Sequence, residues 1–199
     1  MIAILDYGAG NLRSVENALA EIGCPYTLAR DTAALRAAGK IVLPGVGHFG
    51  QMIRALDSLD LRAALLDRIS AGVPFLGICL GLQALFERSE EAPEVCGLGL
   101  YPGTVRRFPA NARVPHMGWN QLEVQAASRL FRGVHPTPFV YFAHSFYVPP
   151  DTRASALCTY TLPYTAALES GNVFGVQFHP EKSAAAGLQV VRNFVELAC

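Results

Sequence analysis

Val73-Pro74-Phe75-Leu76-Gly77-Ile78-Cys79-Leu80-Gly81-Leu82-Gln83 passes directly from an apolar run into residues with helical spacing. Val73 to Ile78 reads as a buried strand, with Pro74 near its start, where a missing ladder donor does least damage. The segment from Leu80 to Glu87 reads as a helix. Glycines at 77 and 81 leave room for a tight elbow that lifts the Cys79 side chain above the sheet edge, as serine is lifted in hydrolase elbows. Open parallel sheets place ligand sites beyond the carboxyl ends of their strands, and a helix amino terminus favours a thiolate. Cys79 is therefore the leading candidate nucleophile. A cysteine among apolar residues also serves as a small buried hydrophobe, so partner residues must decide.

The same strand-turn-helix pattern recurs upstream. Met1 to Leu5 is a short apolar run; Asp6-Tyr7-Gly8-Ala9-Gly10 follows as a turn, and Leu12, Val15, Leu19 and Ile22 have helical spacing, with Asn11 or a neighbour as cap. Tyr26-Thr27-Leu28 leads to an alanine-rich segment over 33–38. Lys40 to Leu43 is stopped by Pro44-Gly45-Val46-Gly47, and a helical stretch over 49–69 breaks near Ser58-Leu59-Asp60. This alternation predicts an α/β fold: a mostly parallel central sheet with helices on both faces. Beyond Pro93 the texture changes. Runs at 139–142 and 146–148, with 154–160 and 166–169 pairing nearby, predict an additional mixed or antiparallel strand region. Val173 to Gln177 returns to the first texture, and a helix over 183–197 closes the chain, with Leu188, Val191, Phe194 and Val195 as its inner residues.

The chain has 199 residues, 51% hydrophobic and 16% charged, with 16 basic and 16 acidic side chains. That length suits one domain over 1–199, and the charge balance offers no footprint for nucleic acid. The cysteines at 24, 79, 96, 158 and 199 have no metal-ligand spacing, and the odd count leaves a free thiol. No apolar run reaches membrane-spanning length and the amino terminus lacks a basic leader, which together point to a reducing, cytoplasmic setting. The glycine-rich turn after Asp6 lacks the lysine of a phosphate loop and dinucleotide spacing, and the five histidines form no metal cluster; no metal and no cofactor are expected.

Gln177-Phe178-His179-Pro180-Glu181 follows the last apolar strand. Histidine can take a thiol proton, and a carboxylate on its second nitrogen fixes the tautomer. Spacing of two puts both groups on one side of an extended segment if the strand continues through Pro180. An ordinary loop histidine beside a helix-start carboxylate is the competing reading.

With Cys79 and His179-Pro180-Glu181 in place, the chain resembles the triad-type, class I glutamine amidotransferases, and within them the glutaminase subunits of imidazole-glycerol-phosphate synthases. The resemblance runs over nearly the full length. The segments at 6–15, 43–47, 77–83, 115–120 (Pro115-His116-Met117-Gly118-Trp119-Asn120), 141–145 and 179–183 carry it. It implies that Cys79 attacks the glutamine amide, that His179 passes a proton to departing ammonia, and that Glu181 orients His179. It assigns the oxyanion to the backbone of Leu80 and of the strand at Gly47, and the amino-acid end of glutamine to Gln83, Ser145 and Phe146. At position 146 the family often has tyrosine, so a hydroxyl contact is missing here. It further implies a separate cyclase subunit with a β/α barrel fold, activated allosterically in a heterodimer, with Asn11, Met117, Trp119, Tyr141 and Lys182 at or near the interface; from sequence Trp119 serves equally as a core anchor. Glycines at 45 and 47 permit peptide rotations closed to other residues, so Gly45-Val46-Gly47 is either a gating strand or simply a tight turn.

Overall fold

Alternation of side chains across each short strand buries both faces of the sheet, which sets the layered arrangement. The computed structural model describes residues 1–9, 11–125 and 127–197. In chain order the elements are β1 (Ile2–Leu5), α1 (Leu12–Glu21), β2 (Tyr26–Ala29), α2 (Thr32–Arg36), β3 (Lys40–Gly45), α3 (Phe49–Ser58), α4 (Leu61–Ser70), β4 (Phe75–Cys79), α5 (Leu80–Gln83), β5 (Phe86–Ser89), β6 (Tyr101–Arg107), β7 (His116–Val124), β8 (Phe139–His144), β9 (Phe146–Tyr147), β10 (Ala154–Tyr160), β11 (Leu162–Ser170), β12 (Val173–Val176) and α6 (Ala184–Glu196). The main sheet runs β2-β1-β3-β4-β12-β11-β10-β7-β8. Its first five strands are parallel, and the rest pair antiparallel from β12 outward. β5, β6 and β9 form a small second sheet. The expected α/β architecture, parallel half and antiparallel half, is the one observed.

On one face Ala3, Leu5, Ile41 and Leu43 pack with Leu35, Phe49, Ile53, Leu56 and Leu65 of α2, α3 and α4. On the other, Ile2, Ile4, Val42, Leu76 and Ile78 meet Val15 and Leu19 of α1 and Val190, Val191 and Phe194 of α6. Single residues thus commit each strand to both layers.

Four expectations change. The helix after Cys79 is one turn long, because the carbonyls of Ala84 and Leu85 accept from the amides of Leu98 (2.7 Å) and Tyr101 (3.1 Å), and the chain continues as β5 beside β6. Asn11 holds the cap position of α1 without a capping side-chain hydrogen bond. In α6 the buried face is Gly187, Val190, Val191, Asn193 and Phe194, while Leu188 and Val195 are half-buried. The helix lies so close to the preceding turn that a Cβ on Gly187 would sit 2.0 Å from the Pro180 carbonyl oxygen, and Asn193 goes inside because its amide donates to the carbonyls of Leu130 and Arg132. His179 and Glu181 do not share an extended strand, since β12 ends at Val176 and Pro180–Lys182 is a 3₁₀ turn. Gly10 and Cys199 lie outside the described residues. The cysteines at 24, 79, 96 and 158 are free thiols.

Lys40 is buried at the start of β3, and its ammonium donates to the carbonyls of Phe194 (3.3 Å), Val195 (2.7 Å) and Leu197. These carbonyls lie at the end of α6, where the negative end of its dipole is, and that of Phe194 also accepts from the Leu197 amide at 3.3 Å. Lys40→Met should lower stability by about 1–3 kcal/mol, measured as a reduced urea midpoint with an unchanged slope.

Candidate active site

Cys79 ends β4 with φ 54° and ψ −105°, a conformation that costs a non-glycine residue energy and that its surroundings must enforce. The enforcement comes from two close backbone approaches. A Cβ on Gly77 would lie 2.4 Å from the Gly81 oxygen, and one on Gly81 would lie 2.1 Å from the Leu43 oxygen. The flanking glycines are therefore required by contact, so that α5 can fold back onto β3 and β4 immediately after Cys79.

His179 is brought to the cysteine by β12, the parallel neighbour of β4. Its amide donates to the Tyr141 carbonyl at 2.9 Å, and its own carbonyl accepts from the Ser183 hydroxyl at 2.6 Å, while Ser183 Oγ accepts from the Tyr141 amide at 2.9 Å. The 3₁₀ turn then places a Glu181 Oε1 2.8 Å from His179 Nδ1, both side chains being buried. Burial opposes a charge on His179, but its hydrogen bonds to Cys79 and Glu181 and their negative charge outweigh that cost and hold the imidazole pKa well above its ordinary value. The arrangement favours an imidazolium between Cys79 and Glu181.

Cys79 and His179 line one cavity of about 260 Å³, together with Val46, Gly47, Leu80, Gln83, Glu91, His144, Ser145, Phe146 and Lys182. All three expected substrate residues are therefore at the site. Gln83 is buried, and its Nε2 donates to the Phe146 carbonyl and to Gln177 Oε1, both at 3.0 Å. Sequence reasoning missed Glu91, the one carboxylate lining this cavity among the described residues. Its Oε2 accepts from the Phe49 amide at 2.7 Å, at the start of α3, and no motif marks it. A larger cavity of about 760 Å³, beside 124–136 and the end of α6, is lined by neither cysteine nor histidine.

Gly45 is locked: a Cβ there would meet Met52 Cε at 2.3 Å and Leu80 Cβ at 2.7 Å. Gly47 has φ 99° with open space around its Cβ position, and Val46 is exposed. Conformational freedom in this segment is thus confined to Val46 and Gly47.

On the antiparallel half, Met117 and Trp119 are 65% and 53% exposed, so Trp119 is no core anchor. Trp119 meets Tyr141 edge-on at 6.2 Å, and Lys182 Nζ lies 5.8 Å from the Tyr141 ring centre. Asn11 is half-buried at the start of α1. Among the described residues no cluster of three or more His, Cys, Asp or Glu could hold a metal, and no helix is long and apolar enough to cross a membrane.

The model of the family "Glutamine amidotransferase class-I" matches residues 3–197. The imidazole glycerol phosphate synthase subunit HisH of Methanothermobacter thermautotrophicus is 51% identical over 198 residues, covering 99% of this chain and 98% of its own. The protein of the same name from Moorella thermoacetica is 47% identical over 198 residues, covering 98% and 94%. A crystal structure of a glutamine amidotransferase superposes with a TM-score of 0.78 over 98% of this chain and 97% of that one, at 19% identity, a likeness of fold.

Two predictions follow from the geometry. Gly81→Ala pushes a methyl into the Leu43 carbonyl and should cost about 3 kcal/mol or more, read from chemical denaturation. His116 and His144 are buried neutral; desolvation lowers their pKa values to about 4 and about 3, from an ordinary 6.5. At these two positions the unfolded chain then binds more protons below pH 6.5, so together they lower stability as pH drops toward 4; His179, protonated in the folded state throughout, opposes them only until its unfolded imidazole fills just below pH 6.5, one group against two. Urea midpoints should decline steadily between pH 6.5 and 4.5; a flat profile would contradict the burial of neutral imidazoles.

Proposed function

The chain belongs to the class-I glutamine amidotransferases, and from that premise we propose how its residues divide the work. It is a glutaminase that hydrolyses glutamine through a cysteine-dependent mechanism and supplies ammonia in histidine biosynthesis. The observation that carries the residue assignment is the buried His179–Glu181 pair, 2.8 Å apart, in the cavity of the elbow cysteine.

Cys79 sulfur attacks the side-chain amide carbon of glutamine. His179, charged by the thiol proton, delivers it to the departing ammonia and then serves as base for the water that cleaves the glutamyl thioester. Glu181 fixes the imidazole tautomer and stabilises its positive form. Leu80 is the first residue of α5, where amides lack intrahelical acceptors, and its N–H with that of Gly47 would receive the oxyanion. Gln83, Ser145 and Phe146 hold the amino-acid end, and the Glu91 carboxylate suits the α-ammonium group. Residues 1–199 act as a single amidotransferase domain.

The ammonia is delivered to a separate cyclase subunit with a β/α barrel fold. Met117, Trp119, Tyr141 and Lys182 form its docking face, with Asn11 nearby; aromatic side chains that exclude water over large areas supply much of an interface's energy. Val46 and Gly47 form the gate, since their peptide can rotate while packed Gly45 anchors the strand before it. A separate catalytic and docking requirement makes the activity partner-dependent.

Ammonia release from glutamine should be strongly raised by the cyclase and abolished by Cys79→Ala. His179→Ala should reduce turnover by about 10²- to 10⁴-fold, and Glu181→Gln by less. Activity retained in Cys79→Ala would reject the nucleophile, and full activity of the isolated chain would reject the gate.

A further inference from the structure

Beside Cys79 lies Gln177, which is fully buried and is not among the residues lining the glutamine site. Its backbone is fixed by an amide hydrogen bond to the Ala166 carbonyl at 2.8 Å. Its side-chain Nε2 lies 3.6 Å from Cys79 Sγ, within reach of an N–H···S hydrogen bond. The described reaction makes no use of this residue.

Which end of the amide faces sulfur follows from the groups around it, beginning with a backbone carbonyl that can only accept. The Phe146 carbonyl oxygen contacts His144 Nδ1 at 2.7 Å and Gln83 at 3.0 Å, so His144 Nδ1 carries a hydrogen and the Gln83 atom is its NH₂ nitrogen. That same nitrogen faces Gln177 at 3.0 Å, so the facing Gln177 atom must be its oxygen. The other end of the Gln177 amide, a nitrogen that can only donate, is therefore turned to sulfur. His144 is held in turn: its Nε2, lacking a hydrogen, accepts from His116 Nδ1 at 3.2 Å, and His116 Nε2 accepts from the Asn120 amide at 3.4 Å. A continuous set of hydrogen bonds runs from β7, which carries Trp119, to the Cys79 sulfur.

We propose that Gln177 is a positioning residue for the glutaminase reaction: its amide, locked by Gln83, donates a hydrogen bond to the Cys79 sulfur, fixes the sulfur's direction of attack and favours its anionic form. This rests on Cys79 being the nucleophile. An amide donor is attracted more strongly to a thiolate than to a thiol, so the bond strengthens in the reactive state. The neighbouring Ala143 carbonyl, 4.0 Å from the sulfur, can only accept and serves the thiol hydrogen instead. His179 and Gln177 thus act differently: one exchanges the proton, the other never does.

The test is the pH dependence of iodoacetamide alkylation at Cys79, followed by mass spectrometry of the peptide that carries it, together with steady-state kinetics in the presence of the cyclase. In Gln177→Leu, alkylation at pH 7 should slow by about tenfold and its pH midpoint should rise, since a hydrogen bond to a charged group is worth about that factor. The kcat should fall by a larger factor than KM for glutamine rises, because Gln177 lies outside the glutamine cavity and reaches it only through Gln83. Gln177→Glu, which keeps the shape and places an acceptor on sulfur, should shift the midpoint further. An unchanged midpoint in either folded variant overturns the inference. Should neither fold, the side-chain amide resonance of Gln177 in Cys79→Ala decides: a shift relative to the unaltered chain supports the bond, and no shift overturns it. Ammonia release surviving in Cys79→Ala would instead overturn the assignment of the nucleophile, leaving the alkylation result intact.

Discussion

The contact between the backbone of Gly81 and the Leu43 carbonyl determines where the chemistry can occur. A methyl group there would come within 2.1 Å of that oxygen, so α5 reaches β3 only because position 81 has no side chain. The same approach forces Cys79 into its strained backbone conformation at the end of β4 and aims its side chain out of the sheet. Because β12 runs parallel to β4 on the other side, the residues that follow β12 arrive at the same edge, and His179 needs no long loop to reach the cysteine. The meeting of Cys79 and His179 is a consequence of strand order as much as of motif.

Electrostatics divides the histidines of this region into two kinds. His144 and His116 have no carboxylate beside them, and burial keeps them neutral. In that form they act as directional connectors, each giving one hydrogen bond and accepting another. His179 is buried as well, but faces both a thiol and Glu181, and becomes the one positively charged imidazole at the site. A neutral connector brings no charge to Cys79, so the positive charge beside the sulfur is concentrated on one histidine.

Much of this was legible in the residues. The apolar runs and glycine stops identified the parallel strands, the elbow and the break at Ser58-Leu59-Asp60, and His179-Pro180-Glu181 stood out by residue type and spacing. The parts that were not legible depend on contacts distant in sequence. The helix after Cys79 stops after one turn because Leu98 and Tyr101 take its next carbonyls. The inner face of α6 includes Asn193, which no apolar periodicity would select, because its amide serves two carbonyls some sixty residues upstream. Glu91 joins the site only through the amide of Phe49, and Gln177 acquires a direction only when Gln83 and the Phe146 carbonyl are placed beside it. Motifs mark groups that react; the groups that hold them carry no comparable mark.

The chemistry proposed for this site stands or falls on the Cys79 sulfur being the atom that meets the glutamine amide. The most direct test is to treat the chain, with the cyclase present, with a glutamine analogue whose side chain ends in a diazoketone, and to map the adduct by mass spectrometry. One adduct per chain is expected, on Cys79 and suppressed by glutamine; an adduct on another residue, or labelling of Cys79 that glutamine does not slow, would contradict the assignment of the nucleophile.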